Sequence, residues 1–179
     1  MEFEVSAEAK DKRLNRRVAI TVLALSVVMG LGTIKDGNIV QAMERTESRS
    51  VDLWNEYQAT RTKLRMTEIA QIQLTAAHAA PSAKLAADAA RYRAEAPTLA
   101  RDARAAGALY DALNIHDDQF DASEALIATA ISTAAVAALV ESSWLLAVAW
   151  MFGGFGLFLS LCGFLGWSFH PDVLSTVLG

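Results

Sequence analysis

The residues with the clearest potential for chemistry lie in the segment NIHDDQFDAS, residues 114–123. Imidazole nitrogens and carboxylate oxygens are common metal ligands, and four such side chains occur here within six residues. They are His116, Asp117, Asp118 and Asp121. A mononuclear site usually draws its ligands from separated elements, and the segment does not match the spacing of a calcium-binding loop. A metal site is therefore the lesser interpretation, and no cofactor is expected.

A structural interpretation of the same segment is more specific. Asp121 and Glu124 have the spacing of a capping box, with Asp121 as the N-cap, and Phe120 is placed to pack onto Ala125. Acidic side chains there also favour the positive end of a helix dipole. We therefore predict that the segment ends one helix, reverses the chain and starts another at a membrane surface.

The rest of the sequence gives little support for catalysis. Cys162 lies in an apolar stretch without a neighbouring histidine or acid, and a single cysteine excludes both an intrachain disulfide and a cysteine-based zinc cluster. The glycines of GGFG, residues 153–156, follow no strand and so do not form a phosphate-binding loop. We interpret His78 as a surface residue and His170 as an interfacial one. We expect that the protein is not an enzyme.

Charge is strongly segregated along the 179 residues. All sixteen Lys and Arg residues lie at or before Arg104, and most of the apolar sequence follows. The formal net charge is -4, and outside residues 1–17 no concentrated basic face is evident. Because phosphate binding needs such a face, nucleic acid is not expected as a partner.

Three stretches are long and apolar enough to be transmembrane helices. Residues 18–34 are uncharged, and this length is the short limit for a helix that crosses about 30 Å of hydrocarbon. Residues 125–140 reach that length when extended to 122–141, and residues 144–169 are uncharged with tryptophans near both ends. We predict three crossings, with the lipid bilayer as a partner.

Basic residues before the first stretch set the expected orientation. They are Lys10, Lys12, Arg13, Arg16 and Arg17. Such clusters stay on the cytoplasmic side, so residues 1–17 are predicted to be cytoplasmic and residues 18–34 an uncleaved anchor. Residues 35–121 then lie on the far side, Glu141-Ser142-Ser143 forms a cytoplasmic turn, and residues 170–179 form a short outer tail.

The long middle segment has the pattern of an antiparallel coiled-coil hairpin. Apolar residues recur at alternating spacings of four and three, as in a coiled-coil seam. They are Leu85, Ala89, Tyr92, Ala96, Leu99, Ala103, Ala106, Tyr110 and Leu113. Pro81 separates arms of about 38–80 and 82–116, roughly 65 Å and 52 Å long as helices. Pro97 predicts a kink or a restart in the second arm.

The first arm has a less regular pattern. An apolar stripe at residues 40, 43, 54, 57 and 64 places Glu47, Ser50, Arg61 and Glu68 at core positions. These polar residues are either exposed or paired inside an oligomer, where they would set its register. The alanine-rich seam of the second arm indicates that its partner helix approaches closely. Because alanine buries little apolar area, we expect this seam to need more than one partner helix.

Small residues in the apolar stretches indicate helix packing. Gly153, Gly156 and Ser160 mark a face of the third stretch, and Ala130, Ala134 and Ala138 mark one in the second. An alternative is a pore in an oligomer, lined by hydroxyl groups, with acidic rings at its mouths. Its candidate lining residues are Thr129, Ser132, Thr133 and Glu141.

Four blocks carry a family resemblance that covers essentially the whole chain. They are MEFEVSAEAKDKRLNRRVAITV, IKDGNIVQAM, WNEYQATRTK and DDQFDASEALIATAI. They resemble the bacterial family catalogued as domain of unknown function 4337. The resemblance implies an uncharacterised inner-membrane protein and transfers no catalytic residues. From the residues we expect an all-α membrane scaffold, as a homo-oligomer or as a subunit of a membrane complex. The alternative is an oligomeric channel.

Overall fold

The computed structural model of the protein describes residues 2–167 and residue 169, and of residues 2–11 it describes the backbone only. Over this part the chain is helical and contains no strand. The helices are α1 (Glu2–Ala76), α2 (Ala83–Leu139) and α3 (Ser143–Leu165). The all-α class predicted from the sequence is confirmed. The tail at 170–179, with His170, lies outside the described residues.

Each of the three helices contains a stretch that is long and apolar enough to cross a membrane. The break between α1 and α2 contains Pro81, as predicted. Proline has no N–H to donate to the preceding turn, which disfavours helix at this point. His78 adopts a positive φ of 50° in this connection. The Ser82 hydroxyl accepts a hydrogen bond from the backbone N–H of Leu85 at 3.4 Å, so Ser82 caps the start of α2.

Helix α2 runs without a break through two places where the sequence predicts one. The predicted turn in residues 114–123 is wrong, because the whole segment is helical. Between Pro97 and the end of α2 there is no further proline and only Gly107, so nothing stops the helix. Asp121 therefore lies inside the helix and is not an N-cap. Pro97 also lies inside α2, which does not restart there.

The connection predicted at Glu141-Ser142-Ser143 is found between α2 and α3. Glu141 has a positive φ of 53°, and the N–H of Ser142 donates to the carbonyl of Ala137 at 2.9 Å. Helix α3 then ends at Leu165, before the end of the predicted stretch 144–169. Gly166 adopts the left-handed conformation with φ 69°, and the N–H of Trp167 donates to the Cys162 carbonyl at 3.0 Å. Gly166 thus forms a glycine C-cap of α3.

Among the described residues, 2–41 and those from Leu113 onward form one compact unit, which we call the three-helix unit. Its described core contains residues from α1, α2 and α3 in direct packing. One cluster contains Leu14, Val18, Ala134, Ala137, Leu146 and Ala149, and a second contains Leu25, Ile127 and Ala130. Across α1 and α3, the indole N–H of Trp150 donates to the Thr21 hydroxyl at 2.9 Å. The alanines allow the three backbones to approach closely.

Residues 42–112 form a second compact unit, which we call the middle segment. All of the seam residues predicted between Leu85 and Tyr110 are buried or half-buried there. On α1, the buried or half-buried residues of this segment are 42, 43, 46, 50, 53, 54, 57, 60, 64, 67, 68, 70, 71 and 74. They include four of the five residues of the predicted stripe, at 43, 54, 57 and 64, together with Ser50 and Glu68. Val40, outside this segment, is exposed, and so are Glu47 and Arg61.

Two contacts within the middle segment join α1 to α2. The Ser50 hydroxyl donates to the Ala103 carbonyl at 3.4 Å, and Arg93 Nη2 donates to Glu68 Oε1 at 2.7 Å. Two of the four polar residues singled out on α1 thus bind α2 of the same chain. They do not need an oligomer to find partners.

Candidate functional site

The three-helix unit brings together two acids that are far apart in the sequence. Asp36 of α1 and Asp117 of α2 lie within hydrogen-bonding contact of each other's side chains, and both are half-buried. Oδ1 of Asp36 is buried and has no hydrogen-bond partner. Asp121 and Glu124 of α2 add their negative charges nearby. We call these four residues the acidic cluster.

Burial and mutual repulsion change the protonation of this cluster. Burial, contact with Asp117 and the charges of Asp117, Asp121 and Glu124 together raise the pKa of Asp36 from 3.8 to about 7. Burial and the charge of Asp121 also raise the pKa of Asp117, while its contact with Asp36 opposes that rise. Two carboxyls in contact are most stable when they share one proton. Asp36 is therefore the residue that holds it.

The four residues first considered as metal ligands point in different directions from one continuous helix. Residues one apart on a helix do not face each other, so His116, Asp117 and Asp118 diverge, whereas Asp117 and Asp121 share a face. Asp118 accepts a hydrogen bond from Asn114 at 3.3 Å. Among the described residues, no group of three or more His, Cys, Asp or Glu side chains is placed to hold a metal ion.

Gln119 is a fully buried polar residue that the sequence reasoning did not identify. Its Nε2 donates to the carbonyls of Trp167, at 2.8 Å, and Phe169, which fixes the amide orientation. Its Oε1 then accepts from Nδ1 of His116 at 3.0 Å. The role of His116 is thus to complete the hydrogen bonds of Gln119, which ties the segment after α3 to α2.

The predicted small-residue face of α3 is buried, and α1 and α2 of the same chain cover it. A Cβ on Gly156 would lie 2.7 Å from Ile127 Cγ1 and 3.1 Å from the Ser123 carbonyl. The Ser123 hydroxyl donates to the Gly156 carbonyl at 2.8 Å. Gly153 and Ser160 are buried as well. This face therefore meets its packing partner within one chain.

Phe120 has a different role from the one predicted. Instead of packing onto Ala125, its ring fills the space that Gly163 leaves on α3, where a Cβ would lie 2.7 Å away. The ring also makes an edge-to-face contact with Phe164, with centroids 5.2 Å apart. The three residues connect α2 and α3 beside the acidic cluster.

The predicted pore-lining residues lie on the outer side of α2. Thr129, Ser132 and Glu141 are exposed, and Thr133 is half-buried. The hydroxyls of Thr129 and Thr133 donate to carbonyls of their own helix, both at 2.8 Å. Within the chain these threonine hydroxyls already have hydrogen-bond acceptors.

The middle segment carries a basic face that the sequence did not reveal. Arg61 and Arg65 of α1 and Arg93 and Arg104 of α2 line a single groove. The expectation that no concentrated basic face exists outside residues 1–17 is therefore wrong. Helical spacing on each arm could have suggested half of this face, but the register between the arms was needed to join the halves.

Over the described residues, the chain is helical, and its three helices are long and apolar enough to cross a membrane. The acidic cluster lies between α1 and α2. The chain belongs to the family described as Domain of unknown function (DUF4337), whose model matches residues 14–166. This confirms the resemblance drawn from the four sequence blocks. No curated protein and no solved structure matches the chain.

Proposed function

We propose that the protein is a membrane-anchored scaffold with three transmembrane helices. The observation that carries this proposal is the large apolar surface on the outer faces of the three-helix unit. On α1 the exposed residues are Ile20, Leu23, Val27, Leu31 and Ile34, and on α3 they include Trp144, Met151, Phe155, Leu161 and Leu165. A continuous apolar surface of this kind is unfavourable in water and is satisfied by lipid.

The basic residues before the first span support a cytoplasmic amino terminus. With the family resemblance, they support our proposal of a bacterial inner-membrane protein whose residues 35–121 lie in the periplasm. Single cysteines at Ser48 and Ser143, both exposed, test this orientation in a Cys162→Ala background. In intact cells with a permeabilised outer membrane, an impermeant maleimide should label position 48 only. Labelling of position 143 but not 48 would reverse the orientation, and equal labelling would argue against spanning.

The middle segment is proposed to act as an antiparallel coiled-coil hairpin that contacts other proteins. Its two buried faces repeat every three and four residues, and the Ser50–Ala103 and Glu68–Arg93 contacts have the order expected of antiparallel arms. Large apolar side chains also lie outside the seam. Met66, Ile69 and Ile72 are exposed at spacings of three, which supports a further apolar contact. The hairpin would thus join copies of this chain, or this chain and another subunit.

The mass of the native particle in mild detergent tests the scaffold proposal. We expect a particle larger than one chain, and a smaller one for the triple variant M66S, I69S, I72S. Lys63→Ser with Gln73→Ser serves as the control, because both residues are exposed polar positions on the same helix. A monodisperse monomer of the wild type, without a co-purifying protein, would exclude the proposal.

An oligomeric channel lined by the second span is the alternative function. Exposure of Thr129 and Ser132 on α2 supports it, because these residues could face a central axis. The hydroxyls of Thr129 and Thr133 donate to carbonyls of their own helix, so only their oxygen lone pairs would be free to face a pore. Conductance after reconstitution, reduced by Thr129→Val, would support a channel. No conductance from an intact oligomer would exclude one.

A further inference from the structure

A groove of about 480 Å³ lies in the middle segment, with arginines from both helices along it. Arg61 and Arg65 extend from α1, and Arg93 and Arg104 extend from α2. All four side chains are exposed at its edges. We call this feature the arginine groove.

The charge of the arginine groove is poorly balanced. Glu68 is the acid in its lining, and it is bound to Arg93 at 2.7 Å. Four guanidinium groups and one carboxylate leave three positive charges. Among the described residues, no carboxylate lies within ion-pair distance of Arg61, Arg65 or Arg104. Their mutual repulsion would be relieved by a bound anion.

The shape of the groove leaves room for such an anion. Besides the charged residues, its lining consists of Tyr57, Leu64, Ala96, Pro97 and Ala100. Ala96 and Ala100 are buried and small, which leaves space between the arginines. Arg61 is already positioned on the Tyr57 ring, 5.7 Å from the centroid, with its Nη1 donating to the Tyr57 hydroxyl at 3.0 Å. This contact holds one guanidinium at the rim. Less ordering is then needed when a ligand binds.

We propose that the arginine groove binds a small anion that carries more than one phosphate charge. Planar guanidinium groups present paired N–H donors that match phosphate oxygens, and arginine is the preferred residue for such recognition. A single carboxylate would neutralise one of the three excess charges, whereas a diphosphate neutralises most of them. A soluble diphosphate and a phospholipid headgroup share this chemistry.

Calorimetric titration of the full-length protein, in an uncharged detergent at constant ionic strength, tests the proposal with inorganic pyrophosphate. We expect a dissociation constant below about 1 mM for the wild type. The double variant R65A, R104A should bind at least about tenfold more weakly, because it removes two guanidinium groups without an acidic partner. Its helix content, measured by circular dichroism, should match the wild type.

The matched control is Arg91→Ala, which removes an exposed arginine of α2 outside the groove lining. It should leave pyrophosphate binding unchanged. Native mass spectrometry with phosphatidic acid separates the two sources of phosphate. If the wild type binds phosphatidic acid but not pyrophosphate, and the double variant loses the lipid adducts, the groove is a site for lipid headgroups. Binding of neither probe would overturn the proposal, as would an equal loss in R91A. Tight binding of duplex DNA that R91A and the double variant weaken equally would indicate a nonspecific charged surface and overturn it too.

Discussion

Asp36 faces Asp117 across α1 and α2, and Oδ1 of Asp36 is buried without a hydrogen-bond partner. Asp36 lies two residues beyond the predicted first span, and Asp117 lies shortly before the second. The two residues belong to two of the four sequence blocks that carry the family resemblance. A proton on Asp36 converts the repulsion of two carboxylates into a hydrogen bond. The contact between these helices therefore depends on pH.

The first prediction concerns that pH dependence. The pKa of Asp36 is about 7 in the folded protein and 3.8 without these contacts. Between these values the folded protein binds a proton that the unfolded chain has released, so stability falls as pH rises from about 4 to about 7 and is constant above. Protection factors for hydrogen exchange of residues 33–40 and 113–121 in detergent, corrected for the intrinsic base catalysis of exchange, should be lower at pH 8 than at pH 5.

The variant D36N removes the titrating group but keeps a hydrogen-bond donor for Asp117. It should raise the protection factors at pH 8, by a factor equivalent to about 1 kcal/mol after allowing for solvent screening, and remove most of the difference in protection between pH 5 and pH 8. The control D111N makes the same change at an exposed acid of α2. If D111N removed the pH difference as completely, the pair would not be its source.

The second prediction concerns the α2–α3 contact at Gly156. A Cβ there would lie 2.7 Å from Ile127 Cγ1 and 3.2 Å from the Ile127 backbone nitrogen, so a side-chain rotation alone cannot relieve the clash. Gly156→Ala should therefore destabilise the three-helix unit by about 1–3 kcal/mol. The melting temperature in detergent measures this loss of stability.

Gly154→Ala is the matched control for this site. A Cβ at Gly154 has nothing within 4 Å, and alanine favours helix, so the variant should be neutral or slightly stabilising. Equal melting temperatures for G156A and G154A would show that α2 and α3 do not pack as closely as described.

The third prediction concerns the seam of the middle segment. Ala103 is fully buried, and its carbonyl accepts a hydrogen bond from Ser50. A larger side chain has no space there, so Ala103→Leu should destabilise the segment by about 1–3 kcal/mol. Ala108→Leu, at an exposed position of α2, should have little effect. Amide exchange in the middle segment compares the two variants, and equal protection would contradict the assigned seam.

The seam of α2 could be predicted from the sequence because its apolar residues follow a local repeat that needs no knowledge of the partner. The seam of α1 could be predicted only in part, because Thr60 and Thr67 occupy buried positions and Thr46 a half-buried one. The hydroxyls of Thr46 and Thr67 donate to the carbonyls of Ala42 and Lys63, each at 2.7 Å. A threonine whose hydroxyl is hydrogen-bonded to a carbonyl of its own helix can present its methyl group to the seam. A search for apolar residues does not include threonine and therefore misses these positions.

The acidic cluster was missed for a different reason. The spacing of Asp121 and Glu124 fits both a capping box and the interior of a helix. The packing of the neighbouring Phe120 against Gly163 of α3 favours the helix interior, and the sequence alone does not show this contact. Contact between Asp36 and Asp117 depends on the register between two long helices. A single sequence does not contain that register, because a shift by one turn leaves both hydrophobic patterns intact.

The last prediction concerns Pro97, which lies inside α2 in the middle segment. Proline lacks the N–H that would bond to the carbonyl of Arg93, and its ring crowds that carbonyl. Pro97→Ala should restore the bond and stabilise the segment by up to about 3 kcal/mol. Amide exchange at residues 93–101 should slow accordingly. Thr98→Ala, at the exposed neighbouring position, should change exchange far less. If P97A left exchange unchanged or faster, the helix around residue 97 would be adapted to proline, and the floor of the arginine groove would depend on its ring.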